Sequence, residues 1–79
     1  MQTFVLFGTS ACHLCDQAKQ LLVLAQEAGA DFQYREEDIA LQDSLFERYG
    51  ELIPVLRKPN GDELNWPFEA AELWDFLVS

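Results

Sequence analysis

Apolar positions along the chain follow two rhythms. Thr3-Phe4-Val5-Leu6-Phe7 is an almost unbroken run of strand-forming residues ending at Gly8, the pattern of a central strand buried on both faces. From residue 12 to about 28 the repeat lengthens. Leu14, Ala18, Leu21, Leu22 and Ala25 recur at i, i+4, i+7, i+8 and i+11, one face of a helix, with Gly29 as its stop. Alternation returns where Phe32, Tyr34 and Glu36 interleave with Gln33, Arg35 and Glu37, which predicts a half-exposed, charged edge strand. These three elements make a βαβ unit with parallel strands and a right-handed crossover.

The second half is shorter in stride. A helix is expected over residues 42–49, with Leu45, Phe46 and Tyr49 turned inward and Gly50 ending it. Ile53-Pro54-Val55-Leu56 reads as a third strand and Glu63-Leu64-Asn65-Trp66 as a fourth. Lys58-Pro59-Asn60-Gly61-Asp62 joins them with hairpin chemistry. Pro67 favours a last helix whose buried face is Trp66, Ala70, Leu73 and Leu77. Trp74 is expected in the core, as aromatic residues of so small a chain generally are. The predicted order is βαβ–α–ββ–α, an α/β arrangement without repeats or linkers, read as a single domain over residues 1–79.

Composition narrows what such a domain does. At 79 residues and 49% hydrophobic, the chain is near the lower size at which a core suffices without staples. Fourteen acidic against five basic residues, a net charge of −9, leave no clustered cations for nucleic acid and disfavour an anionic membrane. Met1-Gln2-Thr3 has no basic leader character, and the apolar run that follows is too short for a signal or a membrane span. A monomer in the reducing cytoplasm is therefore expected, where any disulfide is transient.

Both cysteines of the chain lie in Cys12-His13-Leu14-Cys15, at the boundary between first strand and first helix. Closing so short a loop makes a poor staple, so the pair reads as chemistry rather than stability. A helix start presents unpaired N–H groups and the positive end of the macrodipole, which favour a thiolate by roughly 0.3–2 kcal/mol. Cys12, the more exposed position, is the expected attacking sulfur and Cys15 the resolving one. His13 tunes the site: a protonated imidazole beside Cys12 would stabilise its thiolate. Asp16 acts in the opposite sense, and Lys19, one turn beyond Cys15, reads as a solvated flank. No metal is expected. Two thiolates and the adjoining His13 fall short of a closed four-ligand zinc site within one chain, leaving only a metal shared by two copies as a rival.

Strand, Thr9-Ser10-Ala11-Cys12-His13-Leu14-Cys15-Asp16 and then a long helix resembles the thioredoxin superfamily, and within it the small glutaredoxin-like domains. Tyr49-Gly50-Glu51-Leu52-Ile53-Pro54-Val55-Leu56 is the second matching segment, and Leu64-Asn65-Trp66-Pro67-Phe68 the third. The resemblance implies a thioredoxin fold, a mixed four-stranded sheet in the order 2-1-3-4 flanked by three helices. It implies a cis Ile53–Pro54 bond, with the Ile53 backbone and Pro54 receiving a substrate like an added strand. The activity implied is thiol–disulfide oxidoreduction on a disulfide-containing protein or small molecule. No bound cofactor is implied, only an external thiol reductant. The competing class is an interaction module of the same fold whose cysteines cycle rarely or never.

The departures are specific. His13 and Leu14 stand where glutaredoxins usually carry a proline and an aromatic residue, and no basic residue precedes the motif. In place of a glycine pair before the last helix the chain has Asn65-Trp66-Pro67-Phe68-Glu69: a proline without an N–H, bulky rings and a carboxylate. A dianionic tripeptide such as glutathione is expected to bind poorly there.

Overall fold

The computed structural model describes residues 2–78. The apolar run at the start forms strand β1 (Gln2–Gly8), and β2 (Phe32–Asp38) lies parallel to it, Gln2 opposite Phe32 and Gly8 opposite Asp38. Strand β3 (Val55–Arg57) is antiparallel on the other side of β1, Phe7 opposite Val55, and β4 (Glu63–Asn65) is antiparallel to β3. The order is β2-β1-β3-β4, as the resemblance implied. β1 needs its near-continuous apolar sequence because both of its faces are covered. Phe4 and Leu6 enter the larger core with Leu22, Leu56 and Leu73, while Phe7 joins Ile39, Tyr49 and Val55 on the opposite face.

Helix α1 (His13–Glu27) packs on the first face and ends as predicted at Gly29. With φ of 106° there, Gly29 donates to the Gln26 carbonyl at 3.1 Å and Ala30 to that of Ala25 at 3.0 Å, satisfying carbonyls the helix leaves open. A short 3-10 turn (Ile39–Leu41), absent from the predicted order, follows β2 and drops Ile39 into the smaller core. Asp38 caps this turn through the Ala40 N–H. Helix α2 (Asp43–Tyr49) covers the second face and α3 (Ala70–Val78) the first. The β3–β4 turn is held by Asn60, whose side-chain oxygen accepts from the Asp62 N–H, with Gly61 at a φ of 99°.

Four expected inward positions point elsewhere. Leu14 is 43% exposed although it lies on the same side of α1 as Ala18 and Ala25: the buried residues of the helix are Cys15, Ala18, Leu22 and Ala25, and Leu14 stands in the first turn, ahead of them. Phe46 is 56% exposed: the smaller core takes only Leu45 and Tyr49 from α2, which are four residues apart on one narrow face. The last helix begins at Ala70 rather than at Pro67, and Ala70 is exposed. Phe68 fills the core before the helix starts, and Trp66 packs edge-on against it from the connection. That leaves Leu73, Phe76 and Leu77 as the inward residues of α3, and Trp74, expected in the core, is 37% exposed. Among the described residues, no helix is long and apolar enough to cross a membrane.

Candidate functional site

The sulfur pair sits where β1 hands over to α1. A turn in which the Cys12 N–H donates to the Thr9 carbonyl at 3.3 Å brings Cys12 to the N-cap of α1 in extended backbone geometry. Its sulfur takes the place of a capping oxygen, accepting from the Cys15 N–H at 3.1 Å. Cys12 and Cys15 are joined in a disulfide across this turn, Cα to Cα 5.2 Å. The two ends differ in access: Cys12 is half-buried, whereas Cys15 is 2% exposed beneath the helix. His13 and Leu14, between them, face solvent.

Gly8 is the site residue that sequence reasoning missed. A Cβ there would stand 2.7 Å from the Cys15 sulfur and 3.2 Å from its Cβ, so the strand end must be bare for Cys15 to lie against it. The available signal was a glycine closing an apolar strand four residues before the motif.

The β1–β3 register links this point to the second motif. Phe7 faces Val55, so one residue further along Gly8 faces Pro54, and the buried Pro54 belongs to the same end of the sheet as the sulfur pair. The Ile53–Pro54 peptide bond is cis, and so is Trp66–Pro67. The Pro54 carbonyl accepts from the Trp66 N–H at 3.2 Å. The Ile53 N–H is also engaged, donating to the Tyr49 carbonyl at 3.1 Å, where the Leu52 N–H arrives at 2.8 Å. Tyr49 thus anchors the segment before Pro54. It is anchored in turn by a ring stack on Phe7, centroids 4.4 Å apart, and by its hydroxyl donating to Glu63. Burial, reinforced by the Glu63 carboxylate, pushes the Tyr49 hydroxyl above the ordinary tyrosine pKa.

Charge collects on the other flank of Cys15. Lys19 bridges α1 and β2, its Nζ 2.6 Å from Glu36 and 3.5 Å from Asp16, instead of standing free as a solvated flank. Glu37 pairs with Arg35. Among the described residues no cluster of three or more His, Cys, Asp or Glu side chains is arranged to hold a metal ion.

A four-stranded mixed sheet with a disulfide at the first helix start and a cis-proline at the facing strand defines a thioredoxin-type domain of the glutaredoxin-like class. The chain belongs to the glutaredoxin-like domain family (DUF836), whose model matches residues 3–78. Protein XcR50 of X. campestris is similar to it in both its X-ray and solution structures. The X-ray structure has a TM-score of 0.81 at 39% identity, with 94% of this chain and 93% of that one covered. The solution structure has a TM-score of 0.80 at 42% identity, with 98% and 92% covered. Protein Ne2328 of Nitrosomonas europaea shares the fold, with a TM-score of 0.81 at 24% identity over 98% and 92% of the two chains. No curated protein matches the chain.

Proposed function

We propose that this domain is a dithiol oxidoreductase in which Cys12 attacks and Cys15 resolves. The observation that carries the reading is the unequal burial of a bonded cysteine pair at a helix N-terminus, half-buried Cys12 against buried Cys15. In the reduced protein the Cys12 thiolate attacks one sulfur of a substrate disulfide, and the other sulfur leaves as a thiolate that takes up a proton. The Cys15 thiol then loses its proton and attacks Cys12. This closes the Cys12–Cys15 bond and releases the second substrate thiol. Two electrons pass from the protein to the substrate, and an external thiol or dithiol reductant restores the pair.

His13, exposed next to Cys12, adds positive charge there when protonated. Pro54 and Ile53 border the place where a substrate chain would lie. Because the Ile53 N–H is already given to Tyr49, the group Ile53 offers a bound peptide is its carbonyl. The start of α3 supports independence from glutathione. There the Glu72 carboxylate accepts from the Glu69 N–H at 3.4 Å, so the helix is met by its own anion where a ligand carboxylate would bind.

The test is intact mass of the folded protein across graded thiol–disulfide buffers. Reversible loss of two hydrogens, abolished by either Cys12→Ser or Cys15→Ser, is expected. A folded dithiol that no buffer oxidises would overturn the reading. Rapid turnover of a glutathionylated substrate with glutathione as sole donor would overturn the glutathione-independent part.

A further inference from the structure

We propose that Lys19, held in place by Glu36, governs the ionisation of the Cys15 thiol across a cavity that the three residues share. The proposal rests on the dithiol reading above and assigns that site a positioning group for its resolving sulfur.

A cavity of about 280 Å³ opens between the first turns of α1 and the end of β2, with Cys15 on one wall and Lys19, Glu36, Glu37 and Asp38 on the others. Lys19 follows Cys15 by four residues on α1, a spacing that sets side chains one above the other, about 5–6 Å apart at Cβ. Its ammonium is fixed from both sides, 2.6 Å from Glu36 on β2 and 3.5 Å from Asp16 on α1. The Glu36 hydrogen bond, against an opposing effect of burial, raises the Lys19 pKa above the ordinary lysine value, so the cation persists over the working range of a thiol.

From β2, Glu37 is paired with Arg35, and the Asp38 carboxylate accepts from the Ala40 N–H at 2.9 Å. β1 and the turn after it contribute only the uncharged Leu6, Gly8, Thr9 and Ser10. His13 precedes Cys15 on α1 and is exposed. Among the described residues lining the cavity, Lys19 alone is cationic, against three carboxylates.

The resolving step requires a thiolate at Cys15, and burial disfavours it. The carboxylates disfavour it further, while a fixed ammonium one turn away favours it. Glu36 both positions that ammonium and screens it. Neutralising the two partners must therefore move Cys15 in opposite directions.

The experiment titrates Cys15 in a Cys12→Ser background by the ultraviolet absorbance of the thiolate. Lys19→Gln is expected to raise the Cys15 midpoint by about half a unit to one unit and Glu36→Gln to lower it by a similar amount. Lys19→Arg should restore the parent value, and salt near 1 M should shrink both shifts. Midpoints that stay put, or that move in the same direction in both variants, overturn the proposal. Where a variant loses its native far-ultraviolet circular dichroism, mass-mapped alkylation of Cys15 in the reduced protein with Cys12 intact reads the direction of each shift against the reduced wild type, whose own Cys15 midpoint includes the Cys12 thiolate. The titration involves no turnover. Failure of the dithiol reading would show instead as a wild-type pair that cannot be oxidised, leaving this measurement to decide on its own.

Discussion

Gly8 and Cys15 meet so closely that a methyl group on Gly8 would stand 2.7 Å from the Cys15 sulfur. The end of β1 is thereby the floor of the cysteine pair, and the absence of a side chain there sets how deeply Cys15 can lie. Gly8→Ala is expected to lower stability by about 1–3 kcal/mol in urea unfolding, the usual range for forcing an atom into a packed site. Part of that loss should return in Gly8→Ala/Cys15→Ala, which removes the sulfur but not the Cβ contact at 3.2 Å. Equal losses in both backgrounds would place the strain elsewhere.

Unequal access predicts unequal trapping. With Cys15→Ser, incubation with a small aromatic disulfide should accumulate a mixed disulfide on Cys12. With Cys12→Ser, adduct formation on the 2%-exposed Cys15 should be slower by about tenfold or more. Intact mass after timed acid quenching distinguishes the two. Comparable rates would remove the division into attacking and resolving sulfurs.

Tyr49 links pH to stability. Its hydroxyl is buried, bonded to Glu63 and raised above the reference value of 10.0, so the folded state holds this proton more tightly than the unfolded chain. The stabilisation is therefore full below about pH 10 and is lost as pH rises toward the folded-state value. Tyr49→Phe should cost about 1 kcal/mol at pH 8, somewhat more if Glu63 is left without a partner. That difference should narrow in denaturant titrations carried above pH 10, and a difference that widens there would contradict the assignment.

Side-chain direction along α1 can be read by truncation. Leu22, fully buried between α1 and the sheet, should cost about 2–5 kcal/mol as Leu22→Ala, a large share of a small domain's stability. Leu14→Ser, at an exposed position, should stay within about 0.5 kcal/mol of wild type. Thermal or urea unfolding of the pair checks it, and a large loss at Leu14 would put that residue back on the inner face.

The sequence by itself determined the order of the strands and of the three α-helices, the glycine stop of α1, the charged edge strand and the cysteine pair at the strand–helix boundary. Each of these is written in residues close together, through a period of about two or about 3.6 or through a turn residue, and local backbone preference is enough to express it. The tertiary structure decided what depends on register between distant segments. Phe68 rather than Ala70 reaches the core, and Trp74 is left half in solvent, because the last helix docks three residues later than its periodicity allowed. The Ile53 N–H is taken by Tyr49 through the fold of the α2–β3 connection. Lys19 meets Glu36, seventeen positions away, only because β2 lies parallel beside β1 and carries its carboxylate back under the first turns of α1. The cysteine pair is thus a local feature of the chain, but its surroundings are assembled by packing, since charges and contacts across a sheet carry no signature in the spacing of either partner.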